Sequence, residues 1–221
     1  MREAAQLAPL GRLEEGWASL PTLVTTVAEL DLAVARRGPC VRYFGPILEE
    51  VREREWKSPF SDGDERPLVL VSFSTTRFWD PLGRIRNTLD ALESEPVRVL
   101  VLAPEAESVH AVPRNAVVQT YVPHGLVLPH AELTVTHCGH GTVTAALSHG
   151  VPILALPNAA ADQPYLAERV KHLGAGIALD GAASADEIRA AVREILAREA
   201  YAARARELGA VIAASPGASW A

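Results

Sequence analysis

A chain of 221 residues, 48% apolar and carrying a net charge of −6, can pack a core and has neither a disordered composition nor the basic blocks of a nucleic-acid groove. Two cysteines, Cys40 and Cys138, do not make a disulfide framework, and reduced thiols in a cytoplasmic setting are expected. No uncharged apolar run approaches the roughly 20 residues that span a bilayer, and the start, with Arg2 and Glu3, has no apolar signal core.

The first residues mix small, polar and charged types up to Pro21. Residues 23–27 form a short β-like run, and 41–47 a second extended piece broken at Gly45-Pro46. From 48 to 67 the chain is highly charged and punctuated by Pro59, Gly63 and Pro67, the composition of a linker. Regular alternation starts at Leu68. Residues 68–73 are almost continuously apolar, as buried parallel strands are. A helix over 80–93 follows, then strands over 97–103, 117–122 and 133–136. A helix over 142–148, a strand over 153–156, a helix over 164–173 and a strand over 176–179 continue the pattern. Ser184 and Glu187 have capping-box spacing ahead of a helix whose Ile188, Val192, Ile195 and Leu196 form one apolar stripe. A last helix covers 198–213. This order predicts an α/β fold, a Rossmann-like doubly wound parallel sheet of about six strands with helices on both faces. The expected organisation is an N-terminal extension or domain remnant (1–47), a linker (48–67), the sheet domain (68–214) and a tail (215–221) with no clear closing element.

Polar residues collect at the carboxyl ends of the predicted strands, where open α/β sheets bind ligands. His137 follows the fourth strand, and Gly139 and Gly141 flank His140. Glycines suit a tight turn and a close backbone approach, and Thr142 opens a helix whose free N–H groups favour an anion. This points to a phosphate or pyrophosphate; a turn in which His137 only caps the helix is the plainer alternative. Ser72, Ser74 and Thr75 offer hydroxyls after the first strand, or an ordinary N-cap. Tyr121, Val122 and His124 follow the third, and Asp162 and Gln163 the fifth. A carboxylate beside an amide can accept and donate hydrogen bonds to sugar hydroxyls; Asp162 could equally be an N-cap. His137, Cys138 and His140, with His124 and His130 upstream, are conceivable zinc ligands. Adjacent side chains in a turn point apart, however, and a compact site needs four that converge. Asp62-Gly63-Asp64 imitates a metal-binding carboxylate pair but lies in the charged linker, away from the strand ends.

The run His137-Cys138-Gly139-His140-Gly141-Thr142, followed by Gly150-Val151-Pro152, Pro157 and Asp162-Gln163-Pro164, resembles the donor-binding signature of family 1 glycosyltransferases, in particular bacterial enzymes that glycosylate antibiotics and other natural products. GAGIAL (174–179), SFSTT (72–76), YVPH (121–124) and YFGPI (43–47) fit the same pattern, and the resemblance runs from about Leu20 onward. It implies the C-terminal, nucleotide-sugar-binding half of a two-domain GT-B architecture. By that resemblance His137, Gly139, Gly141, Thr142, Ser74 and Thr75 border the diphosphate. Tyr121, Val122 and His124 hold the nucleoside, and Asp162 and Gln163 the sugar. No metal or other cofactor is implied, because helix dipole and side chains neutralise the leaving diphosphate.

Two departures bear on function. Plant members carry tryptophan at the position of His140 and a ribose-binding glutamate at that of Ala145. Without that acceptor a 2′-hydroxyl loses a partner, so a thymidine diphosphate sugar is the expected donor and a uridine diphosphate sugar the alternative. Family members also use an N-terminal domain to bind the acceptor and supply a catalytic histidine. The residues before the linker are too few to build it, so no catalytic residue is expected in this chain, and His110, His130 and His172 lie outside the matching motifs. The implied function is donor binding for an inverting, metal-independent glycosyltransferase acting on a small natural product. The acceptor domain would be supplied in cis or as a partner chain, and the isolated piece would transfer little sugar. The alternatives are a donor-binding subunit of a two-chain transferase and a non-catalytic nucleotide-sugar-binding helper.

Overall fold

The computed structural model describes residues 20–31, 40–48, 56–73, 81–159 and 162–217. Two short strands, β1 (Thr22–Val24) and β2 (Val41–Tyr43), pair in parallel. The main sheet has six strands: β3 (Leu68–Ser72), β4 (Arg98–Leu102), β5 (Ala116–Gln119), β6 (Leu133–Thr136), β7 (Ile153–Ala155) and β8 (Gly176–Ala178). Their spatial order is β5-β4-β3-β6-β7-β8, every pair parallel. The order reverses between β3 and β6, the switch point of a doubly wound sheet.

Alternation along the strands splits the core in two. Leu68 and Leu70 of β3 face one apolar cluster, Val69 and Val71 the other. The first cluster is covered by α2 (His124–Val127), α3 (His140–Ser148), α4 (Gln163–His172) and α6 (Glu199–Ala213), the second by α1 (Pro81–Leu92) and α5 (Ala185–Ala197). The expected fold class is therefore present, with helices on both faces. Ser184 caps α5 through the anticipated box: its Oγ accepts from the Glu187 amide at 3.3 Å, and the Glu187 carboxylate accepts from the Ser184 amide at 2.9 Å. α3 ends in a left-handed Gly150 (φ 70°), whose N–H reaches the Leu147 carbonyl while Val151 N–H reaches that of Ala146. None of the helices among the described residues is long and apolar enough to cross a membrane.

Several boundaries differ from the sequence reading. The third sheet strand ends at Gln119 instead of 122: its neighbour β4 ends at Leu102, and Ala103 N–H, just past it, donates to the Gln119 carbonyl at 3.0 Å. The helix expected from 142 begins at His140, with Gly139 as N-cap. The stretch read as a linker is partly packed: Leu48, Trp56 and Phe60 lie against the first apolar cluster. The C-terminal stretch read as lacking a closing element meets the segment after β2. Gly217 N–H donates to the Phe44 carbonyl at 2.6 Å, and a Cβ on Gly45 would fall 1.9 Å from Ser215 Oγ. Val27 and Leu30 join the first cluster, and Arg169 of α4 donates from Nε to the Glu29 carbonyl at 2.9 Å, so the β1–β2 unit is docked on the sheet domain.

Candidate functional site

Ser72 and Thr136 are register partners at the carboxyl ends of β3 and β6, so the chain segments leaving both strands diverge from the switch point. Both side chains are buried. Ser72 Oγ lies 3.1 Å from Nε2 of His124, and Thr136 Oγ1 lies 3.4 Å from Nδ1 of His137. The first residue of α2 and the first residue after β6 thus converge on one crevice.

The turn from β6 into α3 differs in detail from the glycine-turn expectation. The residue with positive φ is Cys138 (φ 64°); Gly139 has φ −64° and ψ 141°, which any residue adopts. The left-handed cysteine is tolerated because its side chain is fully buried in the first cluster. Burial also pushes its thiol up to about 12, so it is protonated and a poor metal ligand. Among the described residues no group of three or more His, Cys, Asp or Glu could hold a metal ion. A Cβ on Gly139 would lie 2.7 Å from His137 Nε2. The missing side chain is what gives the His137 ring its place.

His137 is half-buried, and burial, followed by the Arg84 guanidinium, holds its pKa below the ordinary 6.5; the Asp162 carboxylate and the Ser72 carbonyl act in the opposite direction with less effect. The imidazole is neutral at pH 7 and can offer one ring N–H. Burial lowers the pKa of His140 as well, against Asp162. The N-cap of α3 makes no side-chain hydrogen bond, so its first N–H groups have no side-chain cap to compete with a ligand. A Cβ on Gly141 would meet nothing within 4 Å, so open space lies over that turn. From there a cavity of about 600 Å³ extends past Thr142, Ala145 and His149 of the α3 side to His124 and to Ile47 and Leu48 after β2. Its described lining contains no acidic residue. Helix N-terminus, neutral imidazole and acid-free cavity together suit an anion with an attached flat or apolar body.

The other expected site residues are placed unevenly. Ser74 and Thr75 lie outside the described residues. Tyr121 is 65% exposed, whereas the Val122 side chain belongs to the core, so Val122 can offer a ligand only its main-chain groups. Asp162 occupies the N-cap position of α4 but makes no side-chain cap bond, and it is exposed. Gln163 is buried, and its Oε1 accepts from the Asn158 amide at 3.0 Å, leaving its Nε2 as the donor for a ligand. Leu48, His149, Arg84 and Asn158 border these places without having been singled out in the sequence, and Ile47 does so as the last residue of the YFGPI run. Ile47 and Leu48 follow the Gly-Pro break that signals a chain turning back; the others carry no local signal.

The family model for the erythromycin biosynthesis protein CIII-like C-terminal domain matches residues 86–219. The chain is 30% identical over 191 residues to 4′-demethylrebeccamycin synthase of Lentzea aerocolonigenes, covering 84% of this chain and 44% of that protein. It is 39% identical over 105 residues to demethyllactenocin mycarosyltransferase of Streptomyces fradiae, 46% of this chain and 22% of the relative. Among solved structures, the glycosyltransferase of kitacinnamycin superposes with a TM-score of 0.76 at 28% identity, covering 88% of this chain and 51% of the other. The chain therefore spans about half the length of the solved structure it matches and less than half of these two relatives.

Proposed function

Because this chain belongs to the family of erythromycin biosynthesis protein CIII-like C-terminal domains, whose relatives are glycosyltransferases, we propose that it is the donor-binding half of a glycosyltransferase that modifies a small natural product. The observation that carries this reading is the uncapped start of α3 at the strand-order switch point, with neutral His137 beside it and the cavity leading away from Gly141. In this reading the diphosphate lies on the first turn of α3 and accepts from the His137 ring N–H. The nucleoside occupies the cavity toward His124 and Ile47. The sugar extends toward Asp162 and the Gln163 amide.

The reaction would be a displacement at the anomeric carbon. An acceptor hydroxyl oxygen forms the new bond on the face opposite the diphosphate, the bond from anomeric carbon to phosphate oxygen breaks, and the nucleoside diphosphate leaves. The hydroxyl proton goes to a base on the acceptor-binding part, in cis or on a partner chain. The dipole and N–H groups of α3 would take the growing charge on the leaving group with no metal ion. The docked β1–β2 unit fits an upstream continuation: it is a parallel pair, an arrangement normally covered on both faces, yet Leu23 is 66% exposed.

The donor we propose is a thymidine diphosphate sugar. Ala145 lines the cavity and no carboxylate stands there to accept from a 2′-hydroxyl, so nothing in the described lining rewards ribose over deoxyribose through such a bond. Calorimetric titration of the chain with dTDP, UDP and GDP tests both statements. Saturable 1:1 binding strongest for dTDP is expected. Binding of none of the three would end the donor-binding reading, and a clear preference for UDP would end the thymidine assignment alone.

A further inference from the structure

On the opposite side of the sheet from the nucleotide cavity, Arg84 of α1 reaches across the strand ends. Its Nε donates to the Gly181 carbonyl at 3.0 Å, in the loop after β8, and its Nη1 donates to the Asn158 side-chain oxygen, in the loop after β7. Asn158 is 2% exposed, and its main-chain N–H is the group that Gln163 Oε1 accepts from at 3.0 Å. A chain of hydrogen bonds thus runs from α1 through Asn158 to the first residue of α4.

We infer that Arg84 is a positioning residue for the sugar end of the donor site, fixing the Gln163 amide by holding Asn158 of the loop after β7 against the loop after β8. This rests on the donor-binding reading given above. Two features show that this arrangement is built rather than incidental. Gly181 has no room for a side chain: a Cβ would lie 2.1 Å from the Pro157 carbonyl oxygen and 2.9 Å from Arg84 Nη2. The loops after β7 and β8 can approach each other and the guanidinium only because position 181 is glycine. Asn158 also keeps its Nδ2 buried without a partner. Leaving a buried amide unsatisfied is costly, and a small apolar residue would avoid that cost. The amide is explained by what its oxygen does, which is to orient Arg84. The planar fork of arginine suits this, since it addresses a backbone carbonyl and a side-chain oxygen together, which a lysine ammonium does less well.

The same guanidinium acts on the diphosphate side, where its charge helps to keep His137 neutral. That supplies a readout independent of any ligand. The test uses the full chain and its Arg84→Met, Arg84→Lys and Asn158→Ala variants, titrated calorimetrically with dTDP and with dTDP-glucose. His137 is titrated alongside by NMR, and thermal denaturation monitors folding. Arg84→Met is expected to weaken dTDP-glucose about tenfold while dTDP changes by less than about twofold. Asn158→Ala should match it, the double variant should be no worse than either single one, and Arg84→Lys should fall between. The His137 pKa should rise in Arg84→Met and stay raised less in Arg84→Lys. Equal weakening of dTDP and dTDP-glucose, or unchanged affinity for both, in a folded Arg84→Met protein overturns the positioning role while leaving the donor site standing. A wild-type chain that binds neither compound, with His137 still shifted by the variants, removes the donor-binding reading and the role of Arg84 in it together.

Discussion

A Cβ on Gly139 would stand 2.7 Å from Nε2 of His137, so the absence of a side chain at one residue sets the position of the ring two residues before it. Gly139→Ala must therefore move either the ring or the turn. Its backbone angles suit alanine, so the fold should survive. Nucleoside diphosphate affinity should fall by about tenfold, the loss expected for one hydrogen bond to a charged group. The combination with His137→Ala should add little beyond either change alone. Calorimetry on the three variants decides this, and full additivity would show that the ring and Gly139 act separately.

The neutrality of His137 gives a pH dependence of stability. Its folded pKa lies below 6.5, chiefly through burial, and His140 shifts in the same direction for the same reason. Between 6.5 and the lower folded values the unfolded chain takes up the protons first, so stability is fully present above 6.5 and declines as the pH falls through that window. An anionic ligand at His137 favours the protonated ring, so nucleotide affinity should rise over the interval in which the free chain loses stability. Denaturation midpoints and dTDP affinities measured from pH 7.5 downward should move in opposite directions. Replacement of His137 by Gln should remove its share of both trends.

Much of the frame was legible in the sequence because the strands lie buried on both faces. Runs such as LVLVS at 68–72 and LTVT at 133–136 have no solvent side to encode, and they stand out as continuous apolar segments. The Ser184–Glu187 cap is a local interaction and was readable for that reason. In the turn after β6 the positive φ falls on Cys138 and not on a glycine. Glycine is the intrinsic choice for positive φ, but burial of the Cys138 side chain overrides that preference and frees Gly139 to clear the His137 ring. Val122 looked like a residue at a strand tip, and only the packing of the first cluster shows that its side chain is committed to the core. The Arg84–Asn158 contact joins residues 74 positions apart, and nothing in either local sequence announces it.

The pairing of Glu95 with Arg193 predicts a second, more acidic loss of stability. The two make a forked contact with both N–O distances 2.7 Å, joining the segment after α1 to α5, and Glu95 is 7% exposed. The Arg193 guanidinium holds the Glu95 carboxyl below its ordinary 4.5. Stability from this pair is present above 4.5 and is lost as the pH falls through the lower folded value, well separated from the histidine window. Glu95→Gln should lower the melting temperature at pH 7 by roughly 2–4 °C, the shift that a loss near 1 kcal/mol produces in a protein of this size. The variant should differ less from the parent at pH 3. An equal deficit at both pH values would assign the effect to packing instead of charge.

At Gly141 stability and binding should separate. The residue lies in the first turn of α3, its φ is not positive, and a Cβ would meet nothing within 4 Å. Alanine there costs no contact and restricts the unfolded chain, so Gly141→Ala should raise stability by about 0.5 kcal/mol. That open space is where the diphosphate is proposed to approach the helix N–H groups. A methyl group would hold it back, and hydrogen bonds to charged groups weaken steeply with distance and angle. Nucleoside diphosphate affinity should drop severalfold while the melting temperature rises, and Gly141→Val should exaggerate the loss of affinity. Thermal denaturation and calorimetry on the same samples check the pair of effects. A stabilised Gly141→Ala protein with undiminished dTDP affinity would place the diphosphate away from the α3 terminus and remove the main support for the proposed donor site.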